Sequence, residues 1–240
     1  MEDMFARTEL LIGKESLEKL KKSQIAIIGI GGVGSFAVEA LARVGVGTLI
    51  LVDFDVICYS NINRQIHATH STVGLPKVDV MKERILDINP NANVICIREF
   101  YSHENSTRIL SGHFDYLIDA IDSLGSKIDL IVECKKRNIP IISAMGAGNK
   151  LNPNKLEISD ISLTSICPLA KRVRKELRKK GIEEGVKVVY SKEIPLKKQS
   201  HKNINGCSNT LNNVVGSISF VPSAMGLTIA SEVVRDLINI

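Results

Sequence analysis

Residues 23–30 make up an apolar, β-branched run that passes straight into Gly29-Ile30-Gly31-Gly32-Val33-Gly34, and residues 33–44 continue with alanine-rich helical periodicity. A strand, a glycine turn and a helix in that order confine the chain to a small set of folds. The glycines permit a tight turn, close approach of backbone to a ligand, and close packing of helix on strand. The helix then turns its unsatisfied N–H groups and the positive end of its dipole toward an anion. Gly29, Gly31, Gly32 and Gly34 are therefore candidate phosphate-binding residues, and a nucleotide is the expected ligand. The spacing alone does not separate a nicotinamide cofactor from ATP.

The alternation continues downstream. Strands are predicted at Thr48–Val52, Asn93–Ile97, and residues 116–121 and 140–143, with helices at 76–88 and 124–137. Pro76 suits a first helical position, and Asn89-Pro90 a stop. This order predicts an α/β protein with a Rossmann-like, mainly parallel sheet and helices on both faces. Beyond residue 150 the pattern changes. Residues 155–161 and 186–191 are predicted as short antiparallel strands, 168–180 as a basic helix, 192–213 as a polar mobile loop and 223–240 as a terminal amphipathic helix. One domain over residues 1–240 is expected, with a nucleotide-binding half (1–150) and a C-terminal half (151–240) of antiparallel strands and helices.

Composition narrows the function classes. Of 240 residues, 44% are hydrophobic and 24% charged, which excludes a wholly disordered chain. No uncharged apolar run approaches the roughly 18–20 residues of a membrane span. The first ten residues carry acids and no apolar core, so no signal peptide is expected and the cytoplasm is the expected location. The five cysteines include no C-x-x-C pair, so a cysteine-built zinc site is not expected. Residues 161–202 hold 12 Lys and Arg against 4 Asp and Glu, although the whole chain is only +5. A basic excess gathered in one segment points to a polyanionic partner.

Several side chains do not suit a plain dehydrogenase. Asp53 closes the second predicted strand, where a carboxylate commonly accepts hydrogen bonds from ribose hydroxyls; Asp55 is a further candidate there. Asn61, Asn63, Arg64 and Gln65 crowd amides and a guanidinium into one short segment. Lys77 falls in the first turn of a helix, which is unfavourable for a cation unless a negative group lies nearby. Arg64 and Lys77 are suited to triphosphate oxygens and to charge developing at phosphorus. Asp122 follows the fourth strand, beyond the carboxyl ends where such sheets bind ligands. A lone carboxylate plus phosphate oxygens is a common magnesium arrangement. Asp119 is expected to be buried and structural, and His67 and His70 are expected to be structural.

Taken together, GIGGVGS, VDFD, SNINRQ, GLPK and DAID, in that order over residues 29–122, resemble the ubiquitin-activating-enzyme-like superfamily. That superfamily includes the ThiF and MoeB adenylyltransferases of sulfur carriers. The resemblance implies a ThiF/MoeB-like adenylation domain that activates a carboxylate with ATP and Mg2+. It implies Gly32 on phosphate, Asp53 on ribose, Asn61, Arg64 and Lys77 on the triphosphate, and Asp122 on magnesium. Phe5-Ala6-Arg7 is similar to the superfamily's aromatic-x-Arg, whose arginine enters the neighbouring subunit's ATP site. This implies a homodimer, with Arg7, Arg64, Lys77 and Asp122 as catalytic residues.

Within the superfamily, RQIHA (64–68), ISAMGAGNKLNP (142–153), CPLAKRVRKELRKKGI (167–182) and GSISFVPSAMGL (216–227) resemble the tRNA threonylcarbamoyladenosine dehydratases. The resemblance implies ATP-dependent cyclisation of threonylcarbamoyladenosine in tRNA. It also implies that the basic segment contacts RNA through Lys171, Arg172, Arg174, Lys175 and Arg178. A sulfur-relay protein remains a further partner class. Superfamily members that form thioesters carry a cysteine in the region of Cys207. Cyclisation within one substrate needs no such nucleophile, so Cys207 is expected to be inert. The alternatives are adenylation of a sulfur carrier's C-terminal glycine, nicotinamide-dependent oxidoreduction and non-catalytic RNA binding.

Overall fold

The computed structural model describes residues 4–197 and 215–240. Cys207 and much of the lysine-rich stretch expected as a loop lie outside the described residues.

Seven strands form one sheet: β1 (Gln24–Ile28), β2 (Thr48–Val52), β3 (Asn93–Ile97), β4 (Tyr116–Asp119), β5 (Ile141–Ala144), β6 (Leu156–Asp160) and β7 (Lys187–Ser191). Their order across the sheet is β3-β2-β1-β4-β5-β7-β6. Every neighbouring pair is parallel except β6 with β7, where Glu157 faces Tyr190 in antiparallel register. The two C-terminal strands thus extend the same sheet, through parallel pairing of β7 on β5. Among the described residues no helix is long and apolar enough to cross a membrane.

The apolar runs that read as strands are apolar because both faces of the sheet are covered. Ile25 and Ile27, Leu49 and Leu51, and Tyr116 and Ile118 point to one face. There they meet α3 (Gly34–Val44), α4 (Lys77–Ile88) and α8 (Phe220–Ile238). Ala26 and Ile28, Ile50 and Val52, and Leu117 point to the other face, toward α5 (His103–Ile109), α6 (Leu124–Lys136) and α7 (Pro168–Lys179). The one-residue alternation of a strand sorts the side chains between these two cores. Helix α8 lies directly on α3: a Cβ added at Gly226 would stand 2.3 Å from the Val33 carbonyl oxygen.

Two helices at the N-terminus, α1 (Ala6–Ile12) and α2 (Lys14–Lys22), and the short α5 went unpredicted. Periodicity was there to be read in α2, which buries Leu17 and Leu20, but not in the other two. Helix α1 buries no residue, and α5 buries only Ser106 and Ile109. Helix α5 is instead set by its N-cap, where Ser102 and Asn105 satisfy each other's backbone N–H groups. Pro76 stands at the N-cap of α4 rather than inside it, with extended backbone.

Candidate active site at the crossover of the sheet

Strands β1 and β4 are neighbours, and the chain leaves them toward opposite flanks of the sheet. Ligands of open α/β sheets bind at this point, beyond the carboxyl ends of the strands. Gly29 follows β1 at φ +95°, and a Cβ there would come within 2.7 Å of the Ala120 carbonyl oxygen, just beyond β4. Only glycine accepts both that conformation and that approach. Gly34 opens α3, where a Cβ would collide with the Gly29 carbonyl at 1.9 Å. The turn is therefore closed tightly between its ends. Gly31 and Gly32 lie between them and are partly exposed. Gly32 backs onto Pro222 and Arg64, while the space beside Gly31 holds only the Gln65 amide nitrogen, at 3.9 Å.

Asp53 is tied into this turn. Its Oδ2 accepts from the Ile30 N–H at 2.6 Å and its Oδ1 from the Asp55 N–H at 2.9 Å. Burial raises its carboxyl above the usual range, while Lys77 and the two backbone N–H groups pull it down. The carboxylate thus stands fixed between the turn and the end of β2.

Lys77 is the first residue of α4 and is buried. Its Nζ donates to Asp55 Oδ2 at 2.6 Å, and its backbone N–H to the Asp55 carbonyl at 3.1 Å. The carboxylate of Asp55 supplies the negative group that a cation at a helix N-terminus calls for. Since Asp55 is only half-buried, an arriving anion can compete for the ammonium.

The segment after β2 winds back over the turn. Asn61 is buried at the end of a single 3-10 turn, and its Oδ1 accepts the Cys58 N–H at 3.0 Å. The exposed Asn63 donates through Nδ2 to the Ser217 carbonyl at 3.1 Å, which ties the segment to the entry of α8. Arg64 Nη1 donates to the Ser60 carbonyl at 2.6 Å and to Asn63 Oδ1 at 2.8 Å. Burial lowers the affinity of its guanidinium for its proton without neutralising it. Gln65 is buried, and its Oε1 has no hydrogen-bond partner among the described residues.

Asp122 is exposed in the β4–α6 connection and has no hydrogen-bond or ion-pair partner among the described residues. Its neighbour Asp119, by contrast, is fully buried against Lys127, as expected of a structural acid. His67 is also buried, and neither ring nitrogen has a partner among the described residues. Burial, with Lys77 and Arg84 nearby, pushes its pKa down to about 3 and keeps the ring neutral. His70 is exposed and meets the edge of the Tyr59 ring.

Two groups of expected residues lie apart from the turn in sequence and fold. Arg7 stands exposed in the first turn of α1, without a hydrogen-bond or ion-pair partner among the described residues. On α7, Lys171, Arg172, Lys175 and Arg178 are exposed, while Ala170, Val173 and Leu177 are buried. Arg174 is half-buried, and its Nη1 donates to the Thr164 carbonyl at 2.8 Å. It therefore braces the preceding turn.

Lys127 and Ser143, which meet Asp119 behind the β4 end, went unread in the sequence. A signal was present: Lys127, like Lys77, is a cation in the first turn of a helix.

The chain is similar to known proteins over nearly its whole length. A Bacillus subtilis (strain 168) protein named tRNA threonylcarbamoyladenosine dehydratase is 49% identical over 240 residues, covering 98% of this chain and 94% of that protein. The crystal structure of Escherichia coli tRNA N6-threonylcarbamoyladenosine dehydratase in complex with ATP superposes with a TM-score of 0.89 at 34% identity, covering 98% of this chain and 94% of the other. The AMP complex of the same protein gives 0.90 at 35%, with the same coverage. The family model described as ThiF family matches residues 5–240. The chain belongs to the ThiF family.

Proposed function

We propose that this chain cyclises threonylcarbamoyladenosine in tRNA by adenylating its carboxylate with ATP. What carries the proposal is the convergence of the glycine turn, Asp53, Arg64, Lys77 and Asp122 on the crossover of the sheet. Supporting it are the near-full-length likeness to dehydratases of this name and the ATP and AMP complexes of one of them.

The residues divide the work by their chemistry. Gly31 and Gly32 offer backbone N–H groups and the α3 N-terminus to phosphate oxygens. Asp53, already locked in place, receives the ribose. Asn61, Asn63 and Gln65 shape the wall beside the turn, and Gln65 Oε1, without a partner among the described residues, offers an acceptor. Arg64 and Lys77 hold the triphosphate, Lys77 by exchanging its Asp55 partner for phosphate oxygens. The threonyl carboxylate then attacks the α-phosphorus, forming an acyl–adenylate and releasing pyrophosphate. Arg64 and Lys77 oppose the negative charge that develops.

The carbamoyl group of the same modification next closes a ring on the activated carbonyl and expels AMP. Over both steps the carboxylate loses one oxygen, which leaves with the phosphate of AMP, so the nucleoside loses one water. The second nucleophile is tethered, and proximity lowers the cost of the ring closure. The protein therefore supplies position and charge, and no covalent nucleophile is required.

Asp122 fits Mg2+. It is a single hard carboxylate, exposed and unpaired among the described residues, beside a phosphate turn. When bound, the ion supplies neutralisation of phosphate charge.

The exposed cations of α7 are proposed to bind tRNA phosphates. A cytoplasmic homodimer is proposed as the working form, with the chain acting as one adenylating unit. Leu10 and Leu11 of α1 are 88% and 85% exposed, and a second copy would cover them and take Arg7 to its own nucleotide.

Mass spectrometry of tRNA nucleosides tests the reaction. Incubation with ATP and Mg2+ should remove one water from the threonylcarbamoyl nucleoside and release one AMP. If a small ubiquitin-like sulfur carrier is adenylated while that nucleoside stays unchanged, the sulfur-carrier reading replaces this one.

A further inference from the structure

We infer that the buried cluster of Asp119, Lys127 and Ser143 is a positioning device for Asp122. The inference rests on the adenylation reading above, in which Asp122 serves the nucleotide.

Asp119 ends β4 directly opposite Ser143 of β5. The side chains of Asp119 and Lys127 are both fully buried. Lys127 Nζ donates to Asp119 Oδ2 at 2.7 Å and to Ser143 Oγ at 3.3 Å. Ser143 Oγ also donates to Asp119 Oδ2. The remaining oxygen, Asp119 Oδ1, accepts from the backbone N–H of Ile121 at 3.1 Å.

Stability does not account for this arrangement. A buried ion pair gains little over apolar side chains of the same size, because both charges have lost their water. Lys127 also sits in the first turn of α6, where the helix dipole opposes a cation. Nor does the cluster reach a ligand directly, since it is closed to solvent. What it does, and an apolar pair could not do, is accept the Ile121 N–H. The β4–α6 connection is then held at successive points: Ala120 N–H to the Ile28 carbonyl at 2.9 Å, Ile121 N–H to Asp119, and Lys127 N–H to the Ser123 carbonyl at 3.0 Å. Between these anchors only Asp122 projects, exposed and unpaired among the described residues. Lys127 and Ser143 fix Asp119, Asp119 fixes the backbone at Ile121, and that backbone sets where Asp122 stands.

Variants of the cluster separate positioning from folding. Lys127→Met alone leaves the Asp119 charge unpaired and should impair folding, so it is not decisive. Asp119→Leu with Lys127→Met removes both charges together and should fold. Asp119→Asn with Lys127→Met also removes both charges but keeps an acceptor for Ile121. Amide hydrogen exchange on the ligand-free proteins should show Ile121 exchanging at least tenfold faster in the Leu/Met variant and near wild type in the Asn/Met variant. Mn2+ titration of the ATP-bound proteins should show tenfold weaker metal binding only in the Leu/Met variant, with ATP affinity in chelator unchanged in both. Ser143→Ala keeps the ion pair and should shift both readings the same way by a smaller factor, which keeps the test decisive if a double variant fails to fold. Wild-type protection of Ile121 and wild-type Mn2+ affinity in the Leu/Met variant, or in Ser143→Ala if that variant is unfolded, would overturn the inference. Failure of the adenylation reading would show separately, as a tRNA nucleoside left unchanged by the wild-type protein.

Discussion

Lys77 shows how one side chain can carry a site's electrostatics. It is a cation at the first residue of a helix, buried, and stabilised there by one half-exposed carboxylate. Replacing it with alanine removes the donor proposed for the triphosphate, and with it one of the groups that hold the Asp53 carboxyl down, while leaving the glycine turn and α3 in place. ATP–pyrophosphate exchange supported by modified tRNA should fall by roughly 100-fold or more, the scale for losing one preorganised charge-stabilising donor. The circular dichroism spectrum should not change. His67 makes a different residue-scale prediction. Its folded pKa of about 3 lies far below the ordinary value of 6.5, so the neutral form is favoured by folding. As pH falls from about 6.5 toward 3, the unfolded chain gains a proton that the folded chain refuses, and stability drops by about 1.4 kcal/mol per pH unit. Urea unfolding at pH 7.5 and pH 5.5 should show the wild type losing about 1.4 kcal/mol more than His67→Gln over that interval.

At the scale of an element, α7 combines two faces that answer to different forces. Ala170, Val173 and Leu177 hold it on the core, so its lysines and arginines can stay in solvent without loosening it. Lys171, Arg172, Lys175 and Arg178 are free to meet a polyanion, while Arg174 is engaged with Thr164. Changing the four exposed cations to alanine should flatten the dependence of log Kd for tRNA on log salt by roughly 0.7–0.9 for each phosphate that the helix no longer neutralises. Arg174→Ala should act mainly on stability, seen as a lower melting temperature with little change in that slope.

At the scale of the molecule, the glycine turn lies where the sheet reverses its strand order, and α1 stands exposed with Arg7 and two uncovered leucines. If Arg7 completes the site of a second copy, a dimer of Arg7→Ala with Asp122→Asn keeps one site in which neither residue is altered. Mixing equal amounts of the two inactive variants under subunit-exchange conditions should then restore about a quarter of wild-type activity, since about half of the dimers are mixed and each of those has one intact site. Activity that stays at the level of either parent would assign Arg7 to its own chain.

The amino-acid sequence by itself determined the strand–turn–helix opening and the parallel core, and it pointed to the polar residues proposed for the nucleotide. Each of those rests on a local signal: apolar runs buried on both faces, glycines where a Cβ cannot fit, and polar side chains placed just after strands. Even Asp119 was legible as a buried acid from its place at a strand end. Only the tertiary structure decided the rest. Helices α1 and α5 bury too little to leave a period, and the pairing of β7 on β5 joins residues about 45 positions apart in the chain. The partners of Lys77 and Lys127 likewise come from other elements, Asp55 after β2 and Asp119 with Ser143 at the ends of β4 and β5. A charge can be seen in a sequence, but what neutralises it depends on which strand ends the fold brings together, and that is a property of the sheet order.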